Sequence, residues 1–293
     1  MSIAKGKLLQ MPNDTGSENT QLKDVQAKDA QPKDAQPKDA QAESAKRESR
    51  KQRPILLLGG TSEARRLAEL LIREGYRVIS SLAGVTSEPV LPKGEVRIGG
   101  FGGVDGMVEF IKAENVLAIA DASHPFAAQI TRNGFEAAKA TELSYVRVER
   151  KPWKPLGNER WTRVADVEAA VRALSKNSRA FVAIGRKDLE KFAVRDDLSI
   201  LARSIEEPEM ELPENWKFIQ GRPPFSYDDE YSLMAQAKVD TLVVKNSGGK
   251  AVSAKLQVAR DRRMRVIMIE RPELPDIRKV RKIEQVVQFL PRP

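Results

Sequence analysis

The chain has 293 residues and carries 50 lysines and arginines against 41 aspartates and glutamates, a formal charge of +9 with its single histidine neutral. The absence of cysteine excludes disulfides, thiolate metal sites and a cysteine nucleophile, and a lone histidine, His124, excludes a multi-histidine metal centre within one chain, so no metal is expected. The basic balance suits nucleic acid or a small polyanion, but aromatic residues make up only 5%, which disfavours a base-stacking platform.

No run reaches the ~18 to 20 apolar residues that span a bilayer, and the amino terminus lacks the basic-then-apolar pattern of a secretory signal. A soluble, cytoplasmic protein without a membrane partner is expected. Residues 23–45, KDVQAKDAQPKDAQPKDAQAESA, repeat a five-residue unit with almost nothing apolar larger than alanine. Such a segment cannot bury enough surface to offset its ordering entropy, so residues 1–53 read as a disordered low-complexity extension. The same segment also fits a stretch that lies before the true start codon.

From Pro54 the pattern changes to short apolar runs alternating with helical stretches, as in strand–helix units that feed a parallel sheet. Strands are expected at 55–58, 76–81, 95–98, 117–121 and 145–148, with helices at about 62–74, 104–113 and 126–140. After the connection Lys151-Pro152-Trp153-Lys154-Pro155 the alternation resumes. Strands then fit 180–184, 199–203, 217–220, 241–245 and 265–269, and helices fit 165–175, 187–192, 228–237 and 251–261. The expected architecture is two α/β units with parallel sheets, 54–150 and 151–293, closed by an amphipathic stretch from Ile283 to Leu290 that packs back as a helix.

Chemistry is expected where strands end, because ligands of open α/β sheets sit beyond the carboxyl ends of strands. Strand 55–58 runs into Gly59-Gly60-Thr61-Ser62, where glycines permit a tight turn and a hydroxyl can cap the helix that follows. The free amides of that helix start form an anion site of the kind that holds nucleotide phosphates, although a plain strand-to-helix turn uses the same residues. Ser80-Ser81-Leu82-Ala83-Gly84 occupies the place where an NAD-selective site carries an acid. With no carboxylate to repel a 2′-phosphate, a bound dinucleotide there would be NADPH.

Four glycines within residues 99–103 flank Phe101 and allow a backbone to approach a flat ligand. Asp121-Ala122-Ser123-His124-Pro125-Phe126-Ala127 places the only histidine at a strand end, where a contact role is favoured over acid–base work. In the second unit, Lys245-Asn246-Ser247-Gly248-Gly249 forms another candidate anion site at a helix start. Arg186 and Arg222 close two further strands, and with Lys245 they could clamp carboxylates.

Taken in order, GGTSEAR at 59–65, SLAG at 81–84, IGGFGG at 98–103, DASHPFA at 121–127, RPPF at 222–225, KNSGG at 245–249 and AKL at 254–256 resemble the precorrin-6A reductase family of cobalamin biosynthesis. The resemblance runs from about residue 54 to the carboxyl end. It implies two Rossmann-like domains with the active site in the cleft between them. It also implies an oxidoreductase that uses NADPH to reduce one double bond of the macrocycle precorrin-6A to precorrin-6B, with a proton added at the neighbouring carbon. Gly59, Gly60, Thr61, Glu63 and Arg65 would then line the cofactor phosphates, with Ser80, Ser81 and Gly84 near the ribose. Glu63 more plausibly supports the loop than touches a phosphate, since like charges repel.

Gly99 to Gly103 and His124 would face the nicotinamide and the macrocycle, Gly100 on the cofactor side and Phe101 and Gly102 on the substrate side. Arg186, Arg222, Lys245, Asn246 and Ser247 would bind the carboxylates of the tetrapyrrole. Candidates for the proton donor are His124, Lys245 and bound water. Two departures from the family pattern stand out: Ser123 replaces a threonine with its hydroxyl kept, and Val85 stands where many members carry an arginine. The implied partners are the tetrapyrrole and other enzymes of the pathway, not nucleic acid. Two other functions share these residues: reduction of the cobalt-containing form of the substrate, and a non-catalytic module that grips nucleotides or nucleic acid.

Overall fold

A computed structural model describes residues 53–84, 90–157, 159–249 and 253–293; apart from Arg53, the expected extension lies outside them, as does Val85. The first lobe runs β1 (Ile55–Leu58), α1 (Ser62–Arg73), β2 (Val78–Leu82), β3 (Glu95–Ile98), α2 (Val104–Ala113), β4 (Ala118–Asp121), α3 (Ala128–Ala140) and β5 (Ser144–Val148). The second runs β6 (Arg160–Val164), α4 (Val167–Ala173), β7 (Arg179–Ala183), a 3-10 helix (Arg186–Phe192), β8 (Ser199–Ser204), β9 (Trp216–Gln220), α5 (Tyr227–Gln236), β10 (Thr241–Lys245), α6 (Ala254–Asp261) and β11 (Arg265–Ile269). A two-residue strand, β12 (Lys279–Val280), and a 3-10 helix (Ile283–Phe289) end the chain.

Both sheets have six strands, ordered β3-β2-β1-β4-β5-β12 and β9-β8-β7-β10-β11-β6, and every pairing is parallel. Strand order reverses beside β1 in one sheet and beside β7 in the other, which opens a crevice at the carboxyl ends of β1 and β4 and of β7 and β10.

The strands form because they are buried on both faces. In β1, Ile55 and Leu57 join Leu67, Leu71 and Val146 under α1, while Leu56 and Leu58 join Met107, Ile111 and Ile119 under α2 and α3. That two-sided burial is why ILLL is continuously apolar rather than alternating. Helix α1 presents Ala64, Leu67, Ala68 and Leu71 inward at helical spacing. The second lobe repeats the plan, with Val182, Val243 and Ile267 on one face and Phe181, Leu242 and Val266 on the other.

Two strands escaped the sequence reading. β6 carries Arg160 and Arg163 within RWTRV, and β12 lies in the charged stretch RKVRK, so neither shows an apolar run. β12 belongs to the sheet of the first lobe. Lys279 and Val280 pair with Arg147 and Val148 of β5, and Val286 and Leu290 enter the core under α1. The tail thus returns to the first lobe as a 3-10 rather than an α-helix.

Candidate functional site

The first glycine turn is built around Thr61. Its hydroxyl accepts from the Ala64 amide at 3.1 Å, capping α1, and donates to the Ala122 carbonyl at 2.6 Å, which ties the turn after β1 to the turn after β4. Gly60 has φ +100, a conformation that disfavours any side chain, so the backbone can curl with the α1 amides facing outward.

Over these two turns lies a cleft of about 580 Å³. Its walls include Gly59, Gly60, Thr61, Arg65, Ser80, Ser81 and Gly84, the loop from Gly99 to Gly103 with Gly100, Phe101 and Gly102, and His124. Arg222 is the one lining residue from the second lobe. Most residues singled out in the first lobe therefore share one cavity.

Glu63, Arg186, Lys245, Asn246 and Ser247 are not among its lining residues. Glu63 forms an ion pair with Arg150 at 3.5 Å. Arg186 pairs with the exposed Glu209 at 3.4 Å.

Behind the β4 turn is a buried polar knot. The Asp121 carboxylate accepts from the Ser123 amide at 2.8 Å, the Thr131 hydroxyl at 2.8 Å, the Tyr145 hydroxyl at 2.7 Å and the guanidinium of Arg147. Burial and then the Asp121 charge push the Tyr145 phenol well above its ordinary range, so it stays a donor. Arg147, fully buried, also donates to Thr131 at 2.6 Å and to Ser123 at 3.1 Å. These contacts fix the backbone that carries His124.

His124 Nδ1 accepts from the Phe126 amide at 3.3 Å, which leaves its proton on Nε2. Enclosure, then the charges of Arg150, Lys245, Arg271 and Arg147, depress its pKa to about 4. The imidazole is a neutral hydrogen-bond donor at neutral pH.

Lys245 reaches toward the same place from the second lobe. Its Nζ lies 2.6 Å from Asp188 Oδ2 and 5.4 Å from the centre of the Phe126 ring. Burial raises the Asp188 pKa, but hydrogen bonding and charge from Lys245 and Lys191 outweigh it and hold the carboxylate below its ordinary value.

The rest of the Lys245–Gly249 turn serves the connection between lobes. Asn246 Oδ1 accepts from the Trp153 amide at 2.8 Å, its Nδ2 donates to the Trp153 carbonyl at 3.3 Å, and the Trp153 indole donates to the Gly249 carbonyl at 3.1 Å. A Cβ on Gly248 would lie 2.3 Å from the Lys151 carbonyl oxygen. Arg271 completes this latch, donating to the carbonyls of Asn246, Ser247 and Arg150. Asn246 and Ser247 are buried in it.

Arg147, Arg150 and Arg271, which make the electrostatics here, belong to no motif. The one available signal was Arg147, set between two valines in the strand SYVRV. Among the described residues no cluster of histidine, aspartate and glutamate could hold a metal, and no helix is long and apolar enough to cross a membrane.

The model of the precorrin-6x reductase CbiJ/CobK family matches residues 54–291. The chain belongs to this family. A precorrin-6A reductase of Rhodococcus erythropolis is 45% identical over 222 residues, 75% of this chain and 90% of that one. A solved structure, CobK precorrin-6A reductase, superposes with a TM-score of 0.77 at 38% identity, covering 81% of this chain and 95% of its own. A cobalt-precorrin-6A reductase of Priestia megaterium is 32% identical over 251 residues, 80% of this chain and 97% of that one. As a precorrin-6x reductase the protein is an enzyme that needs a reducing cofactor, which sets aside a non-catalytic nucleic-acid-binding module.

Proposed function

We propose that this precorrin-6x reductase is a cytoplasmic, NADPH-dependent precorrin-6A reductase of cobalamin biosynthesis, acting with other enzymes of that pathway on a polycarboxylate tetrapyrrole. The observation that carries the cofactor is Ser80. Its hydroxyl is buried midway along β2, lines the cleft and has no hydrogen-bond partner among the described residues. A buried, unpaired hydroxyl is costly unless a ligand satisfies it. No carboxylate stands beside it among the residues lining that cleft, which suits a ribose bearing a 2′-phosphate.

Gly59, Gly60 and Thr61 would hold the pyrophosphate against the α1 amides, with Arg65 adding charge. When bound, NADPH supplies the hydride; the chain's own groups orient the reactants and neutralise charge. His124 offers its Nε2 proton as a hydrogen bond to a carbonyl or carboxylate. A pKa of about 4 makes it a poor proton reservoir. Lys245, held by Asp188 outside the cleft's lining residues, and bound water remain as candidates for the proton donor, and Arg222, the one lining residue from the second lobe, would bind a substrate carboxylate.

Identity supports the metal-free substrate. Relatives called precorrin-6A reductases are 40–45% identical to this chain, and those called cobalt-precorrin-6A reductases 26–32%. The test is anaerobic oxidation of NADPH in the presence of precorrin-6A. Turnover with this substrate and little with its cobalt form is expected; the reverse preference overturns the assignment. Lys245→Ala should weaken macrocycle binding more than NADPH binding, and equal losses would count against its role.

A further inference from the structure

Three large apolar side chains stand at one end of the cleft, and two of them are unusually open. Val90 and Ile98 keep 53% and 58% of their surfaces exposed, although both line the cavity beside Phe101. Phe101 itself is braced from outside the cleft. The Arg97 guanidinium donates to the carbonyls of Gly99 at 2.6 Å and Gly100 at 2.7 Å, and lies 3.9 Å from the centre of the Phe101 ring. Phe110 meets the same ring edge to face at 5.3 Å. Arg97 is not among the cleft's lining residues, whereas Phe101 is, so the braced ring turns its remaining surface to the cavity. A charged residue and two aromatics thus hold one flat surface in place, an arrangement that mere loop flexibility does not require.

Position in the sheet decides what this surface meets. A dinucleotide on a doubly wound sheet crosses the strand-order reversal, here between β1 and β4, and its adenosine ribose lies at the end of β2. β3 is the next strand outward on that side, whereas His124 follows β4 on the other. Resting on the NADPH reading above, we infer that the loop after β3 is the adenine seat: the base stacks on Phe101 between Ile98 and Val90, and Arg97 is a positioning residue that sets the ring. Phe101 and Gly102 then belong to the cofactor, not to the macrocycle as the family resemblance led us to expect. The exposed apolar surface of Val90 and Ile98 is covered when the base is bound.

The experiment uses the full chain and 2′,5′-ADP, which carries the adenosine half of NADPH without nicotinamide. Calorimetry on the unaltered protein should detect its binding. Phe101→Ala should weaken 2′,5′-ADP and NADPH by the same factor, roughly tenfold or more as for loss of a base–aromatic stack. Phe101→Leu, which keeps apolar volume in case the alanine variant fails to fold, should lose less but in the same proportion for both ligands. Arg97→Met should weaken both by a smaller factor, with Arg97→Lys restoring part of the loss and the substrate KM unchanged. In the unaltered protein, NOEs should connect adenine H2 or H8 to the Phe101 ring. Unchanged 2′,5′-ADP affinity in both Phe101 variants, with a raised substrate KM, would overturn the inference and make Phe101 a macrocycle platform. No binding of 2′,5′-ADP by the unaltered protein would instead defeat the cofactor reading and this inference with it.

Discussion

Replacing Gly248 with alanine separates two accounts of the Lys245–Gly249 turn, because an open anion-binding loop would tolerate the methyl group and a packed latch would not. Gly248 has φ +68, where a side chain costs about 1–2 kcal/mol. Its Cβ would fall 2.3 Å from the Lys151 carbonyl oxygen, a backbone atom that cannot rotate away as a side chain would. Relieving that overlap costs roughly a further 1–3 kcal/mol. The expected loss is therefore ~2–5 kcal/mol, or roughly 4–20 °C in Tm for a fold of this size. Urea unfolding followed by tryptophan fluorescence is the assay, since Trp153 sits in the latch with its indole on the Gly249 carbonyl. Gly60→Ala is the control: φ is +100, but no atom lies within 4 Å of its Cβ, so it adds strain without overlap. If Gly248→Ala stays within ~0.5 kcal/mol of the parent and only ligand binding suffers, the latch is refuted.

Two other expectations bear on the β4 turn. Arg147→Met strands the Asp121 carboxylate in the core and should cost about 3–5 kcal/mol by urea unfolding, while Asp121→Leu added to it should recover much of that loss; a single-variant loss below ~1 kcal/mol would mean the pair does not hold the turn. His124, the only histidine, gives one assignable imidazole in NMR spectra, and its midpoint should fall near 4 rather than at the ordinary 6.5. Its folded form binds the proton less tightly than the unfolded chain does, so the stability it contributes is complete above about 6.5 and is lost as pH falls toward 4. A midpoint close to 6.5 would show that neither enclosure nor the surrounding cations act on the ring.

How much of this could be seen in the sequence follows from how each element earns its burial. Strands with two covered faces, such as ILLL at 55–58 and TLVVK at 241–245, declare themselves as apolar runs. Edge strands do not: β3, β6, β9 and β12 each mix charged residues with apolar ones, and only β3 and β9 were found, through the alternation around them. β12 was out of reach, because its two residues make sense only against β5, more than a hundred positions earlier. The turns after β1, β2, β3 and β4 were readable as a group since one topology brings them to one end of one sheet.

Glycine pairs show where such reading stops. Gly59-Gly60, Gly99-Gly100 and Gly248-Gly249 all follow strands, and the first and last of these looked like the same anion-binding device. In the first, the backbone curls to leave helix amides open. In the second, it wraps the guanidinium of Arg97 and projects Phe101. The third lets two lobes touch, with Lys151 and Arg150 filling the space a side chain would need. Glycine reports only that a side chain is unwelcome, and the reason lies in whatever occupies the vacated volume: a ligand, a neighbouring cation or the chain's own backbone. That occupant is fixed by long-range packing, so the distinction between a binding loop and a latch is tertiary information that no local motif carries.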